Sequence, residues 1–455
     1  MPAWSVLDTW IVIIATLAAM ACALPGTFLL LRRRSMMGDA LSHTVLPGIV
    51  IAFLFAYWLK ASGWISAETY AGLGHAAMFG GAVVIGVVTA VLTEAVQKLG
   101  RVESTAALGV VYTSLFALGL LLVRFAADSV HIDPECVLYG EIETAAFPPR
   151  SGVPRAAIVN GLALVINLAL VVLFFKELRL SAFDPALATT MGINASLMHY
   201  ALMAVTAVTL VAAFESIGSI LVIAMLIVPA ATAGLLTERL WLVIVLGLAI
   251  AAASALLGHL LALTLPDLLF RALGFEIEES LSASTAGMMA AAAGLLFAAA
   301  LLFSPRQGVS SQVIARMRLG LRIASEDLLG ALYRREEVRR DAESAERSAR
   351  PLTEVAGVHP LVRRWALFRL LRRGLIERDG DALRLTAAGR SQAARLVRAH
   401  RLWESYLAEH FELPPDHLHQ SAHVIEHYLD PALETALADE LGRPRRDPHG
   451  RDIPR

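Results

Sequence analysis

Met37-Gly-Asp-Ala-Leu-Ser-His-Thr-Val-Leu-Pro-Gly-Ile-Val50 is a polar segment marked by Gly and Pro, and it runs straight into an apolar stretch ending near Leu59. On a helix, Asp39 and His43 stand at i and i+4 and share one face. An ionisable side chain at the centre of a bilayer costs about 2.5–3.5 kcal/mol. The pair therefore belongs either at headgroup level, where the penalty fades, or beside a polar path through the membrane. Arg32, Arg33 and Arg34 precede it and place this end of the span near the cytoplasm. On the path reading, carboxylate plus imidazole suits a divalent zinc, manganese or iron ion.

The surrounding chain supports a membrane setting. Its 455 residues are 56% hydrophobic and only 17% charged, with a mean hydropathy of +0.61, far from an ordinary soluble composition. Charged residues are thin before about residue 305 and recur every few residues from Arg316 onward, so a membrane part precedes a soluble one. The net charge of −1 sums two unlike parts and decides nothing. The two cysteines, Cys22 and Cys136, allow no disulfide framework and no Cys-rich zinc site. The first apolar run ends in three arginines without a small-residue cleavage signal, which reads as a retained span.

Apolar runs long enough to cross a bilayer lie near 9–31, 40–60, 76–97, 105–126, 156–175, 197–214, 216–236, 240–265 and 283–303. The expected fold is therefore an all-α polytopic membrane protein of eight or nine spans, with the uncertain break at Phe214-Glu215-Ser216. Arg32–Arg34, Lys98, Arg101, Lys176, Arg179, Arg239 and Arg306 fall on one side, against Lys60, Arg124, Arg150, Arg155 and Arg271 on the other. The positive-inside rule then puts the C-terminus in the cytoplasm and the N-terminus outside, an arrangement that needs nine crossings. Glu94 and Glu215 are further intramembrane acids that either line a path or sit at its edge. Outer segments 128–143 and 267–279 are acidic, which either concentrates cations or is only a solvated face.

These stretches resemble the permease subunit of ATP-driven (ABC) importers for manganese, zinc or iron. The resemblance rests on Gly38-Asp-Ala-Leu-Ser-His-Thr-Val-Leu-Pro-Gly48, Glu135-Cys-Val-Leu-Tyr-Gly140, Phe183-Asp-Pro-Ala-Leu-Ala188 and the run from Gly218 to Ala233, and it extends to about Arg306. It implies that Asp39 and His43 belong to the transport pathway. It also implies that Phe183, Asp184 and Pro185 dock on a separate ATPase, since the chain has no Gly-x-x-x-x-Gly-Lys-Ser/Thr phosphate loop and binds no nucleotide by that test. An extracytoplasmic metal-binding protein, a second permease copy or sister permease, and membrane lipid are the other partners implied, with the plasma (inner) membrane as location.

The tail reads as a linker with a first helix over 307–350, a winged-helix-like part over 351–390 and a helical part over 391–455, following a membrane domain over 1–306. Helix, turn, helix, then a hairpin around Asp379-Gly380 is the winged-helix order. Beyond it, His419, His423, Glu426 and His427 fall within about a 100° arc of one helix, and His400 with Glu404 forms another i, i+4 pair. Such donors at helical spacing point to a metal site.

The tail is similar to the diphtheria-toxin-repressor and manganese-regulator family of metal-dependent winged-helix proteins. The matching text is Arg398-Ala-His-Arg-Leu-Trp-Glu404, His419 to His427, and Pro448-His-Gly-Arg-Asp-Ile-Pro454. The resemblance implies two adjacent sites, one of His423, Glu426 and His427 with Asp327 as fourth ligand, the other of His400, Glu404 and His419, each for manganese, iron or zinc. Arg363, Arg364, Arg372 and Arg373 could meet DNA phosphates. The helix that carries them shows Leu361, Trp365 and Phe368 and lacks the Ser, Thr, Asn or Gln that read base edges, so DNA is not expected as a partner. The function expected is a metal-import permease with a cytoplasmic metal-sensing domain that regulates it. The alternative is a membrane-tethered, metal-dependent transcriptional regulator. No pairing of nucleophile and base suggests an enzyme.

Overall fold

The computed structural model describes residues 4–64, 66–126, 140, 142–147, 152–274, 283–340, 359–380, 382–411 and 414–455, with the side chains of 67–76, 78, 215, 219, 220, 340, 415 and 416 outside the description. Cys136 and most of the acidic outer segments lie outside these residues, as does the stretch 341–358. The chain divides into two compact units, Met1–Ser311 and Gln312–Arg455.

The first unit is a helical bundle: α1 Val6–Leu31, α2 Met36–Ala61, α3 Ala67–Gly100, α4 Ser104–Ala126, the single turn α5 Ile142–Ala145, α6 Arg155–Leu173, α7 Phe175–Phe183, α8 Pro185–Thr190, α9 Ala195–Ile217, α10 Ser219–Leu236, α11 Leu240–Ala272 and α12 Thr285–Phe303. Eight of them, α1, α2, α3, α4, α6, α9, α11 and α12, are long and apolar enough to cross a membrane. The remaining apolar run, near 216–236, forms α10, whose 18 residues at a 1.5 Å rise cover about 27 Å, just under the ~30 Å hydrocarbon core. The most buried helix is α1: Ile14, Ala15, Ala18, Ala19, Cys22 and Phe28 are all sealed. Its small residues let neighbours come close. A Cβ on Gly26 would lie 1.8 Å from the Leu226 carbonyl oxygen of α10, so only glycine fits there.

Between α9 and α10 the sequence suggests a break at Phe214-Glu215-Ser216, but the helix continues through Ile217 and breaks at Gly218, with φ 84° and ψ 156°. The correction has a simple cause: that backbone region is open to glycine and closed to residues with a Cβ. Several buried polar side chains tie the bundle together or bond back to their own helices. Asn167 donates to the Ala21 carbonyl and to Thr209 Oγ1, both at 2.8 Å, tying α6 to α1 and α9. Thr27, Thr89 and Thr206 bond carbonyls one turn back on their own helices.

The second unit contains most of α13 Val309–Arg340, then α14 Pro360–Arg372, a hairpin of β1 Ile376–Asp379 and β2 Ala382–Leu385, α15 Ala387–His410, α16 Pro415–Ile425 and α17 Pro431–Glu440. The strands are antiparallel, with Ile376 opposite Leu385 and Asp379 opposite Ala382. Leu328, Leu329 and Leu332 of α13, Ala366 and Leu370 of α14, the hairpin's Ile376 and Leu385, and Ala393 of α15 form one core. This is the winged-helix order followed by helices. The first helix of the tail, expected within 307–350, is described as far as Arg340, and 341–350 lies outside the described residues. The helix expected to carry His419, His423, Glu426 and His427 together ends at Ile425. Pro431 opens α17 and holds Asp430 extended, so α16 has to stop before it, and His427 falls in the turn.

Candidate metal centres

The donors of the second unit come from α13, α15, α16 and the turn after α16. Asp327, His423, Glu426 and His427 form one group, and His400, Glu404 and His419 another; within each, the ligand atoms lie within 4.8 Å of one another. In the first, His427 Nε2 is 3.1 Å from Asp327 Oδ1, and His423 Nδ1 is 3.0 Å from Glu426 Oε1. In the second, His419 Nδ1 is 2.8 Å and His400 Nε2 3.1 Å from the same Glu404 Oε1. The two groups meet where His400 Nδ1 lies 2.7 Å from Glu426 Oε2. Donors bound to one tetrahedral ion at ~2.05 Å are about 3.3 Å apart, close to these spacings.

Burial strengthens the fit. Asp327 Oδ1, His400 Nδ1, Glu426 Oε2 and His427 Nε2 are buried and face one another as close charge pairs, His400 with Glu426 and His427 with Asp327, without the alignment of a regular hydrogen bond. Buried polar atoms without regular hydrogen bonds are costly. Here they converge on one another, which is what a set of ligands does. Each group also keeps one exposed member, His423 at 50% and His419 at 59%, and a cavity of about 290 Å³ opens beside His400, Glu404 and His419.

Residues with no distinct signal in the sequence complete the arrangement. Glu326 Oε2 is 2.9 Å from His427 Nδ1 and is held in turn by Arg322 Nε at 2.9 Å. Glu326 holds the Nδ1 proton of His427, so the proton to be given up on binding a metal is the one on Nε2, which faces Asp327. Glu326 sits beside Asp327 in sequence, and only the fold separates their roles. His449 Nε2 approaches Glu404 Oε1 at 3.9 Å. Arg401 is 4% exposed and pairs bidentately with Glu337 at 3.0 and 2.7 Å, bracing α15 against α13.

The electrostatics are those of a tightly paired cluster. Burial alone would raise the Glu404 carboxyl, but the hydrogen bonds from His400 and His419 outweigh it and hold it well below the carboxylate range. The same balance, with His400 and His423 as partners, brings Glu426 down to about 2. Burial opposes a proton on His427, yet the Asp327 and Glu326 carboxylates carry it up to about 9. Mixed imidazole and carboxylate donors without sulfur suit manganese, iron or zinc.

In the membrane unit, Asp39 and His43 sit in the first two turns of α2, with His43 Nε2 3.5 Å from Asp39 Oδ1 and side chains 28% and 35% exposed for His43 and Asp39. His43 packs on two rings of α4, Tyr112 at 6.1 Å and Phe116 at 5.3 Å between centroids. Glu94 is elsewhere, near the end of α3: it accepts from the Tyr200 hydroxyl and lies 2.6 Å from Lys98 Nζ. Glu215 falls within α9, its side chain outside the description. Phe183 is exposed at the end of α7, and Asp184 caps α8 through the Leu187 N–H at 2.9 Å, with Pro185 as the first helical residue. On α14, Arg364, Arg372 and Arg373 are exposed and Arg363 is half-buried, while Leu361, Trp365 and Phe368 are exposed beside them.

Residues 7–268 match the model of the ABC 3 transport family, and residues 386–455 match that of the iron dependent repressor, metal binding and dimerisation domain. The zinc transport system membrane protein TroD of Treponema pallidum (strain Nichols) is 38% identical over 393 residues, covering 85% of this chain and 98% of that protein. That span exceeds the first unit, so the likeness reaches into the second. The manganese transport system membrane protein MntD of Bacillus subtilis (strain 168) is 38% identical over 320 residues, covering 69% of this chain and 97% of that protein. Among solved structures, PsaBC from Streptococcus pneumoniae in complex with Fab matches at 26% identity and a TM-score of 0.52, over 67% of this chain and 94% of that one.

Proposed function

The chain belongs to the ABC 3 transport family, and on that premise we propose that it is the permease of an ATP-driven importer of a divalent transition metal, carrying on the same chain a cytoplasmic domain that gauges metal supply. Manganese and zinc come ahead of iron, because the relatives above are named for those two metals. The observation that carries the sensing half is the convergence of seven imidazole and carboxylate ligands, four of them with buried donor atoms that face one another as close pairs.

In the membrane unit, Asp39 and His43 are the groups to hand the cation on at the cytoplasmic end of its path. Two partly exposed donors on one helix bind weakly enough to let go. Glu94, already held by Lys98 and Tyr200, and Glu215 are secondary path candidates. The exposed Phe183-Asp184-Pro185 corner is the docking point for a separate ATPase, which supplies the nucleotide chemistry that this chain lacks. An extracytoplasmic metal-binding protein delivers cargo from outside, and a second permease copy or sister subunit completes the pathway. The protein sits in the plasma (inner) membrane with its C-terminal domain in the cytoplasm.

In the tail, Asp327, His423, Glu426 and His427 would hold one ion and His400, Glu404 and His419 a second. A divalent ion bound there supplies positive charge that relieves the crowding of carboxylates. Glu326 orients His427, and His400 and Glu426 link the two groups. Filling these sites when internal metal is abundant biases the permease toward its resting state, a linkage between two sites. The exposed Leu361, Trp365 and Phe368 of α14 argue against the alternative of a membrane-tethered DNA-binding regulator.

The test is uptake of manganese or zinc by the full chain reconstituted with its ATPase in vesicles loaded with increasing internal metal. Uptake should fall as internal metal rises, and the His423→Ala/His427→Ala variant should lose that inhibition. Absence of metal-dependent uptake would overturn the transport reading, and inhibition unchanged in the variant would overturn the sensing one.

A further inference from the structure

A cavity of about 350 Å³ in the first unit is lined by Arg32, Arg34, Glu94, Ser181, Ser196 and His199 among others. It gathers groups from the α1–α2 turn, α3, α7 and the start of α9, none of them used by the metal pathway proposed above except Glu94. Arg32 Nη2 donates to Ser181 Oγ at 2.7 Å. Arg32 Nη1 also lies 3.4 Å from His199 Nδ1, and Arg34 Nη1 lies 3.4 Å from His199 Nε2. A neutral imidazole has one acceptor nitrogen, so His199 satisfies one guanidinium and turns an N–H toward the other.

The charge there is not balanced. Among the described residues neither Arg32 nor Arg34 has a carboxylate partner, and Arg32 Nε is buried with no hydrogen bond at all. The acid lining the same cavity, Glu94, is already engaged by Lys98 at 2.6 Å and by the Tyr200 hydroxyl. Two guanidiniums half-removed from water repel each other and leave donors unused. The start of the 23-residue helix α9 adds more: Asn194 caps the Leu197 N–H, while the Ala195 and Ser196 N–H groups have no acceptor within the helix.

We propose that this cavity binds a phosphate-class oxyanion, either the headgroup phosphate of an anionic phospholipid of the cytoplasmic leaflet or free phosphate. The donor set is of the right kind: two planar guanidiniums able to make paired hydrogen bonds, with the positive end of a long helix behind them. A tetrahedral anion with several acceptor oxygens satisfies both arginines at once, which His199 cannot do. The location also fits a lipid, because the arginine-rich turn marks the cytoplasmic end of the spans, at headgroup depth. Ser181 lies two residues before Phe183 on α7, so an anion held here braces the turn after α1 against the segment that carries the ATPase docking corner.

The experiment uses the full chain assembled with its ATPase in nanodiscs of phosphatidylcholine alone or with phosphatidylglycerol. Native mass spectrometry counts retained phosphatidylglycerol, and equilibrium dialysis against radiolabelled inorganic phosphate is run on the phosphatidylcholine discs. Arg34→Gln should lower retention of whichever probe binds by about tenfold, the scale of one lost charge-assisted contact. Arg33→Gln, which removes the same charge from an exposed neighbour outside the cavity, should keep wild-type retention. Ser181→Ala leaves both guanidiniums and should lower retention by a smaller factor; it carries the test if Arg34→Gln does not assemble. Phosphatidylglycerol retention sensitive to these changes supports the lipid source, and sensitive binding of inorganic phosphate alone supports the free anion. Retention of both probes that is unaltered in Arg34→Gln and Ser181→Ala, or lowered equally by Arg33→Gln, overturns the site.

Discussion

Carboxylate stands beside imidazole at Asp39 and His43 in the bundle and in the donor groups of the tail, and the two places are built differently. In the bundle, Asp39 and His43 stand one turn apart on a single helix, 3.5 Å from each other and 35% and 28% exposed. In the tail, the donors arrive from four segments, and Glu404, Glu426, His400 and His427 are buried with closest approaches of 2.7 to 3.1 Å. A pair on one helix needs no tertiary structure and holds a cation only briefly. A group assembled from distant segments exists only in the folded domain and is built to hold an ion at equilibrium rather than in passing. On the proposed function, this contrast would separate passing a metal on from measuring how much there is.

The largest effect expected from breaking the contrast is in the tail. His423→Ala/His427→Ala should weaken metal binding by about 100-fold or more, because two ligands of one group are lost. Competition titration with a chelating dye checks it, and an affinity within a few-fold of wild type would show that these residues are not ligands. Asp39→Ala should reduce uptake in vesicles by about 10- to 100-fold while leaving tail affinity untouched. If instead both properties moved together, the two places would not be separable.

Proton competition sharpens the comparison further. In the metal-free domain His427 holds its proton up to about pH 9, and a ligand imidazole must give it up. Apparent tail affinity should therefore fall by roughly tenfold for each pH unit that the pH drops below that value, measurable as proton release by calorimetry in two buffers. A flat profile would mean that His427 stays protonated in the complex. The smallest effect is expected for Glu326→Gln, which keeps a hydrogen-bonding oxygen beside His427 but removes the charge. Affinity should fall by about tenfold at most, and no change would make Glu326 a bystander.

Much of this was legible before any coordinates. Hydropathy located the spans because the bilayer demands long apolar runs, and the i, i+4 spacing of His400 with Glu404 and of His419 with His423 survives on any helix. What escaped depended on backbone conformation or on distance along the chain. The break after α9 is three residues past Glu215 because Gly218 can take φ 84°, whereas a charged residue only looked like an interruption. Glu326 could not be told from its neighbour Asp327, since the two face different atoms of one ring only after folding. Arg32 and His199 are separated by 167 positions, and no local pattern joins them.

The 2.7 Å approach of His400 to Glu426 has its own consequence. One carboxylate answers to both groups, so on the proposed occupancy the first ion to arrive would alter the charge and geometry awaiting the second. With metal bound as proposed, such a domain would report supply through one linked equilibrium instead of two separate ones.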